Sequence, residues 1–309
     1  MAKLFAEDEL NPSKGRAVPA AKRRLTVGNK STIARTVKRT PEVMIKISSS
    51  AKNMKKVGKN VDYISRQGTV PLEDEQGNQY IGEHAKEDAL YTWGQSIPAD
   101  GEKRRETFNT IFSMPAGTPR AEVTEAVRRF AADKFRNHQY LFATHNDEDH
   151  PHVHLIVKAT PINGRRRLNP RKATLQKWRE GFAEQLRGLG VEANATPRAA
   201  RGVTKRPERQ AVIHINERSK ARVTEAQEQA AIDEINGVPK PEPFKAELLD
   251  KRKQILNEYG AVARQLVKGG EDDKRLAVEI TKFSQTLPVV ETQHEKRVSE
   301  LKLDKGPER

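Results

Sequence analysis

The chain has 309 residues, a formal net charge of +15 at pH 7 and no cysteine, and 35% of its residues are hydrophobic against 32% charged. This composition excludes one dense core over the whole length and favours a compact domain with polar extensions. Without cysteine, disulfides and thiolate metal sites are excluded as well. No apolar run approaches the length of a membrane helix, which predicts a protein without membrane insertion.

The positive charge is concentrated in two stretches. Residues 1–40 hold ten Lys and Arg against three acids, and residues 165–209 hold thirteen against four. These two excesses, +7 and +9, together exceed the excess of the whole chain. Such segregation indicates a polyanionic partner, and nucleic acid is the polyanion it favours.

Turn residues and apolar periodicity predict the elements in chain order. Residues 1–40 show no apolar period and are expected to form a flexible basic arm. A strand, a turn at Ser48–Ser50 and a helix ended by Gly68 follow it. The predicted strands are 43–47, 79–82, 107–114, 140–144 and 152–157, with an edge strand at 162–168, and the predicted helices are 53–67, 85–96, 121–136 and 173–189.

This order predicts an α+β fold, in which helices flank one central, largely antiparallel sheet and a charged helical C-terminal region follows. The composition changes near Arg222, where Ala, Glu, Gln, Lys and Leu begin to dominate. The predicted organisation is a flexible basic arm at 1–40, a catalytic domain at 41–200, a basic linker at 201–220 and a helical accessory region at 221–309.

Four of the eight histidines lie within ten residues, from His145 to His154. His152 and His154 are two apart at the start of a predicted strand, which places both rings on one face. If residues 146–151 form a hairpin loop, His145 lies opposite His152 on that face. Three imidazoles then converge beside a loop that contains three acidic residues.

Three neutral imidazoles are a common ligand set for a divalent transition metal, and they leave coordination positions open for a phosphate oxygen. The cluster therefore predicts metal-dependent phosphate chemistry, with loop acids such as Asp147 and Asp149 orienting the imidazoles or acting as a base. Imidazole ligands favour Zn, Mn, Fe or Ni over Mg. His150 is expected to support the site and not to bind the metal. The competing interpretation is a solvated polar hairpin loop.

Phosphate chemistry also needs a nucleophile, either metal-activated water or a side chain. Tyr63 lies in the helix after the first strand. Its apolar neighbours Val57, Val61 and Ile64 favour a buried packing tyrosine, so these residues alone do not predict a nucleophile.

Three segments occur in order along the chain: Asp62-Tyr-Ile-Ser-Arg-Gln-Gly68, Phe112-Ser-Met-Pro-Ala-Gly-Thr118 and His145-x-Asp-x-x-His-Pro-His-x-His154. Together they resemble the successive motifs of DNA relaxases, in particular the P-type mobilisation family, which includes the T-DNA border endonucleases. The resemblance covers residues 41–200. It implies a histidine–hydrophobe–histidine fold and site- and strand-specific DNA nicking and rejoining at an origin of transfer, which starts conjugative transfer or mobilisation.

The resemblance also implies roles for single residues. Tyr63 would attack one phosphodiester and form a 5′-phosphotyrosine bond. Ser113 would contact the region near the scissile phosphate, although a strand-end cap before Pro115 explains it equally well. The remaining implied site residues are the metal ligands His145, His152 and His154, which would hold Mn or Mg, and the supporting residues Asp147, Asp149 and His150.

DNA contacts are expected from Arg66 in the first motif and from the basic segment after the third, with Arg165, Arg166, Arg167, Arg171 and Lys172. Candidates for base stacking are Trp93, Trp178, Phe112 and Phe142. The implied partners are single-stranded or supercoiled origin DNA, an accessory DNA-processing protein and a type IV coupling ATPase. The implied location is the cytoplasm of a bacterial donor cell, with transfer of the protein together with the DNA strand as a further option.

Two other classes stay open. A replication-initiation or transposition nuclease would use the same metal and tyrosine chemistry. A non-catalytic, basic DNA-binding accessory protein would use the metal for structure only.

Overall fold

The computed structural model describes residues 26–100, 103–203 and 210–304. These residues form six strands and ten helices. In chain order the elements are α1 (Val27–Val37), β1 (Met44–Ala51), α2 (Met54–Ile64), β2 (Leu72–Asp74), β3 (Gln79–Tyr80), α3 (Ala85–Gly94), β4 (Thr107–Ser113), α4 (Arg120–Lys134), β5 (Tyr140–His145), β6 (His152–Lys158), α5 (Lys172–Gly188), α6 (Gln210–Asn216), α7 (Arg222–Ile235), α8 (Lys245–Leu266), α9 (Glu271–Gln285) and α10 (Gln293–Asp304).

The chain divides into two compact units. The first, called here the sheet unit, is Lys38–Ala195 and contains the six strands with α2 to α5. The second, the helical unit, consists of the described parts of Met1–Val37 and Thr196–Arg309 and contains α1 and α6 to α10. The limits of the predicted catalytic domain, at residues 41 and 200, stay a prediction.

The sheet unit is built on six antiparallel strands in the order β1-β4-β6-β5-β2-β3. β5 and β6 are joined directly as a hairpin in the middle of the sheet, and β4 pairs with the other side of β6. This confirms the predicted α+β fold, in which helices flank a central antiparallel sheet.

Side-chain alternation gives the sheet two faces with separate cores. Helices α4 and α5 cover one face, in a core that includes Phe112, Phe130, Val153, Leu155 and Phe182. Helices α2 and α3 cover the other face, in a core that includes Val57, Val61, Trp93, Leu141 and Ile156. This second cover is partial, because Met44 and Lys46 of β1 stay exposed.

Several predicted local structures around the first strand are wrong. Ser48–Ser50 form no turn, because a register shift between Ile47 and Ser49 lets β1 continue to Ala51. Asn53 caps α2 instead, and its side chain accepts a hydrogen bond from the backbone N–H of Lys56. The short strand β2 was also missed, since three residues give too little alternation to detect.

Gly68 ends the segment after α2, as its position predicted, but the helix itself stops four residues earlier at Ile64. Gly68 has φ +87, and a Cβ there would lie 2.1 Å from the carbonyl oxygen of Gly82. Only glycine fits both the left-handed conformation and this close approach.

The predicted edge strand at 162–168 is wrong, because those residues pair with no strand of the described chain. Ile162 is exposed and Gly164 has φ +92, which interrupts an extended conformation. The segment is fixed by other contacts, among them the hydrogen bond from the Leu168 N–H to the Ala159 carbonyl.

The predicted flexible arm over residues 1–40 is wrong for Val27–Val37, which form α1. Ile33 is 2% exposed and lies in the core of the helical unit. Packing against other helices stabilises α1, and such packing leaves no local apolar period to detect. Residues 1–25 of the predicted arm lie outside the described residues.

The helical unit confirms the charged helical C-terminal region. Helix α8 packs against α9, and α7 against α10. The predicted basic linker at 201–220 is wrong for Gln210–Asn216, which form α6, while residues 204–209 are outside the described chain. None of the helices that the structure describes is long and apolar enough to cross a membrane.

Candidate metal centre and active site

The β5–β6 hairpin brings His145, His152 and His154 together. His145 pairs with His152 in the antiparallel register, and His154 follows two residues later on the same face, as predicted. One ligand atom from each ring lies within 4.8 Å of the other two. His145 and His154 are only 2% and 3% exposed.

In two of these rings, a hydrogen bond to a backbone carbonyl determines which ring nitrogen carries the proton and which keeps a lone pair. The Nε2–H of His145 donates to the carbonyl oxygen of Ile64 at 2.7 Å, which leaves Nδ1 with a lone pair. The Nδ1–H of His152 donates to the carbonyl oxygen of His150 at 3.0 Å, which leaves Nε2 free. The expectation that loop acids orient these imidazoles through their other nitrogens is therefore wrong for both rings, because backbone carbonyls occupy those positions.

The third ring completes a donor set that fits a divalent cation. Nδ1 of His154 is buried and has no hydrogen-bond partner among the described residues. Burial lowers the pKa of His154 to about 3, and it also lowers the pKa of His145. Both rings are therefore neutral at pH 7 and offer lone pairs, as metal ligands must.

Tyr63 lies against this cluster. Its ring is in edge-to-face contact with His154, at 5.6 Å between ring centroids, and its centroid is 6.4 Å from that of His145. The side chain is 55% exposed, so the competing interpretation of a buried packing tyrosine is wrong. Buried Val61 and Ile64 anchor the same turn of α2 and leave Tyr63 on the accessible side.

Arg66 contacts both Tyr63 and the histidine cluster. Its guanidinium carbon lies 5.2 Å from the centre of the Tyr63 ring, a cation–π distance. Nη2 donates to Nδ1 of His145 at 3.3 Å and also forms an ion pair with Asp147. Arg66 and Gln67 both have positive φ, 50° and 58°, which costs about 1 kcal/mol for each non-glycine residue.

The loop acids and His150 contribute unequally. Asp147 Oδ1 lies 3.8 Å from Nε2 of His152. Partial burial opposes ionisation of Asp147, but its own backbone N–H and the charge of Arg66 outweigh burial and lower the pKa of this carboxyl. The side chains of Asp149 and His150 are exposed, and His150 acts on the cluster only through its carbonyl oxygen.

Ser113 reaches the site through the sheet register. It pairs directly with His152 on the neighbouring strand and is 7% exposed. Its hydroxyl donates to the Met114 carbonyl at 3.3 Å. The position therefore agrees both with a phosphate contact and with a strand-end cap.

Arg120, at the start of α4, was missed by the sequence analysis. Its guanidinium donates to the carbonyl oxygens of His145 at 3.4 Å and Asp149 at 3.5 Å, and also to that of Glu148. The available signal was its position, because a cation in the first turn of a helix opposes the helix dipole and needs another reason to be there.

Arg167, one of the predicted DNA contacts after β6, lies near the end of β6 opposite the cluster. Arg167 donates to the carboxylate of Glu106, which is 1% exposed, and to the carbonyl of Arg105. Six residue steps of about 3.3 Å separate the two ends of β6, so the end of β6 at Lys158 lies about 20 Å from His152. The four aromatic residues predicted to stack on bases, Trp93, Phe112, Phe142 and Trp178, are all buried.

Comparison with known families agrees with this geometry. Residues 63–190 match the family model of the MobA/VirD2-like relaxase nuclease domain. The match begins at Tyr63 and includes Ser113 and the three histidines. The matched residues all lie in the sheet unit, which is therefore similar to the nuclease domain of that family.

The similar curated proteins are all VirD2 T-DNA border endonucleases. The chain is 27% identical over 190 residues to that of Rhizobium radiobacter, which covers 54% of this chain and 44% of the relative. It is 28% identical over 204 residues to that of Agrobacterium fabrum, with 59% and 45% covered, and 28% identical over 189 residues to that of Rhizobium rhizogenes, with 54% and 43% covered. The chain thus spans less than half the length of the relatives it matches.

Proposed function

We propose that this protein is a site- and strand-specific DNA relaxase that nicks and rejoins one strand at an origin of transfer. The observation that carries the proposal is the exposed ring of Tyr63 in contact with a three-histidine donor set. An accessible phenol beside a cation site provides a nucleophile and a means to stabilise charge on the phosphate, as metal-assisted covalent phosphodiester chemistry does.

In the proposed reaction, the Tyr63 oxygen attacks the scissile phosphorus and gives up its proton. The bond between phosphorus and the 3′ oxygen breaks, and that oxygen takes up a proton to become a free 3′-hydroxyl. The product is a 5′-phosphotyrosine ester. One phosphodiester is exchanged for another, so attack by the 3′-hydroxyl on the same phosphorus rejoins the strand.

His145, His152 and His154 would hold a divalent cation, for which Mn suits three imidazoles better than Mg does. When bound, such a cation neutralises charge on the phosphate oxygens. The chain itself fixes the geometry. The Ile64 carbonyl ties the end of α2 to His145, so the nucleophile and the histidines stay in register.

We further propose that Arg66 contacts the scissile phosphate. Its guanidinium already lies between the Tyr63 ring and the histidines, and in the free protein Asp147 is its anionic partner. An incoming phosphate would replace that carboxylate. The matching of guanidinium to phosphate oxygens makes this exchange favourable.

In this role the protein would act in the cytoplasm of a DNA donor cell. Single-stranded or supercoiled origin DNA would be the substrate, and an accessory DNA-processing protein and a type IV coupling ATPase would be partners. The charged helices of the helical unit are the surface we assign to those protein partners.

Covalent capture tests the proposal. The protein is incubated with a randomised, 3′-end-labelled single-stranded DNA library and Mn²⁺, because a library contains the unknown nick site and the covalent product keeps the 3′ part of the strand. We expect a denaturation-resistant adduct that Tyr63→Phe and excess chelator both abolish. Tyr91→Phe is the matched control, since Tyr91 is 75% exposed on α3 and should leave the adduct unchanged. An undiminished adduct in Tyr63→Phe would contradict the nucleophile, and one unaffected by chelator would contradict the cation.

A further inference from the structure

A group of unpaired lysines lies beside the proposed site, on β1, α2 and the turn between them. We call it the lysine row, and its members are Lys46, Lys52, Lys55, Lys56 and Lys59. All five side chains are exposed, and none forms an ion pair or hydrogen bond through its ammonium with a described residue. Residues 43–61 contain no acidic residue.

Other cations of this region are engaged. Lys86 forms an ion pair with Asp62, and Arg66 with Asp147, while Arg120 binds loop carbonyls. Five like charges within fourteen residues repel one another and gain nothing from the fold. A polyanion that binds them removes this repulsion and releases counterions.

The sheet register places Lys46 on the histidine face. Lys46 pairs with Ile111 of β4, and Ile111 pairs with His154 of β6. Side chains of directly paired residues point to the same face of a sheet. Lys46 therefore projects from the open part of the face that carries the metal cluster.

The helix spacing places two further lysines on the side of Tyr63. Lys59 and Lys56 precede Tyr63 by four and seven residues, which is the spacing of neighbours on one side of a helix. Seven residues rise by about 10 Å. Asn60, which lies between that side and the buried side of α2, accepts a hydrogen bond from the Ser49 hydroxyl of β1 at 3.5 Å, so the two elements are neighbours.

Together these positions place exposed lysines of α2 and of β1 around the same open part of the sheet. The exposed Met44 and the half-buried Ile111 and His152 share that face of the sheet with Lys46. Exposed positive charge next to partly exposed apolar groups suits a single strand, which presents phosphates and unstacked bases together.

We propose that the lysine row binds the phosphate backbone of the single DNA strand on its way to Tyr63. The proposal rests on the proposed function, because it assigns the path of that substrate. In this proposal the lysine row, and not the segment from Arg165 to Lys172, makes the main contact with the DNA backbone next to Tyr63. That segment begins at the opposite end of β6, where Arg167 is held by buried Glu106.

Equilibrium binding separates this proposal from catalysis. The background is Tyr63→Phe in excess chelator, so that neither covalent capture nor metal contributes. The probe is a labelled random single-stranded oligonucleotide of about 16 nucleotides, the upper end of the usual site size for one domain. Its dissociation constant is measured by fluorescence anisotropy over a series of salt concentrations.

The row variant is Lys46→Gln/Lys56→Gln/Lys59→Gln. Each lost phosphate contact reduces the log–log salt slope by about 0.7, so we expect a reduction of about 2 and a 10- to 100-fold weaker affinity near about 0.1 M salt. The matched control, Lys103→Gln/Lys134→Gln/Lys177→Gln, removes three exposed lysines elsewhere in the sheet unit and has the same net charge. We expect the affinity of this control for the oligonucleotide to fall by less than threefold.

Equal losses of DNA affinity in the row variant and in the control would overturn the proposal. So would a larger loss in Arg165→Gln/Arg166→Gln/Lys172→Gln, which would assign the strand to the other end of β6. The adduct assay reports separately on the function. If DNA binding depends on the lysine row but no adduct forms, the relaxase chemistry is refuted and the proposed DNA contact of the row is supported. If an adduct forms but binding does not depend on the row, the relaxase chemistry is supported and the proposed contact is refuted.

Discussion

At the scale of single residues, hydrogen bonds to carbonyl oxygens decide which nitrogens can bind a metal. The sequence predicted the three histidines, because a period of two and a short loop are local features. It could not predict that Ile64 orients His145, since the two are 81 positions apart and meet only when α2 packs on the sheet. The exposure of Tyr63 was equally hidden, because its apolar neighbours in sequence favoured a buried ring.

Arg66 competes with a metal for the lone pair of His145 Nδ1 and adds a positive charge beside it. We therefore expect Arg66→Gln to bind Mn²⁺ more tightly, by about fivefold, the effect of removing one partly exposed charge interaction of about 1 kcal/mol. The same variant should form less adduct, because a phosphate contact is lost. Titration calorimetry and the adduct assay measure the two effects.

Arg129→Gln is the control for Arg66→Gln, because Arg129 pairs with Glu125 on α4 and should change neither quantity. Weaker metal binding in Arg66→Gln, together with less adduct, would show that Arg66 supports the histidine cluster and does not compete with the cation.

The buried histidines also make stability depend on pH. Burial lowers the pKa of His154 from 6.5 to about 3, so between these values the unfolded chain binds a proton that the folded chain does not. The contribution of His154 to the free energy of unfolding should therefore be fully present above pH 6.5. It should decrease as the pH drops toward 3, by at most about 1.4 kcal/mol per pH unit. The lowered pKa of His145 acts in the same direction.

Denaturant unfolding in excess chelator, from about pH 7 to about pH 4, measures this dependence. His154→Gln should show a shallower fall than the parent protein. The control is His84→Gln, which alters an exposed residue and should keep the parent slope. A parallel slope in His154→Gln would contradict the assignment of a buried neutral ring.

At the scale of elements, the β5–β6 hairpin is the part of the site that the sequence specified best. A one-residue slip would turn every histidine to the other face, and the apolar pattern of both strands fixes the register against that slip. The loop between the strands is different. Arg120 holds it from α4, and no local pattern predicts a contact between a helix start and a loop 25 residues later.

We expect Arg120→Ala to loosen this loop and to weaken Mn²⁺ binding, by about tenfold, because the loop carries Asp147 and the His150 carbonyl. Arg120→Lys should restore part of the affinity, since an ammonium can donate to fewer carbonyls at once. Calorimetry with Mn²⁺ measures affinity, and thermal unfolding in chelator checks that the fold is intact. Unchanged metal affinity in Arg120→Ala would limit Arg120 to a structural role in the loop.

Helix α2 combines three properties that its sequence only partly reveals. Its apolar positions Val57, Val61 and Ile64 predicted the buried side. The opposite side carries both Tyr63 and lysines that need no partner in the fold. The end of the helix was placed too late, because left-handed Arg66 and Gln67 are conformations that residue preferences do not predict.

At the scale of the whole molecule, regional averages of charge concealed the lysine row. Residues outside 1–40 and 165–209 sum to nearly zero, yet residues 43–61 alone carry five lysines without an acid. Conversely, the strongly basic run after β6 includes an arginine that neutralises a buried glutamate. Net charge predicted the kind of partner, but only the fold distinguishes exposed cations from structural ones.

The division into units was also only partly accessible from sequence. The change of composition near residue 222 correctly indicated helices. It did not indicate that α1, far earlier in the chain, contributes Ile33 to the same core as Tyr259 and Phe283 of the helical unit. Contacts between segments so distant in sequence leave no periodic signal in either segment.

Peptide mapping of the covalent adduct tests the central claim most directly. Wild-type protein is captured on the random single-stranded library with Mn²⁺, digested with trypsin and nuclease, and analysed by mass spectrometry. We expect a nucleotide joined through its 5′ phosphate to Tyr63, in the peptide from Asn60 to Arg66. A nucleotide on any other residue, or one attached through a 3′ phosphate, would contradict it.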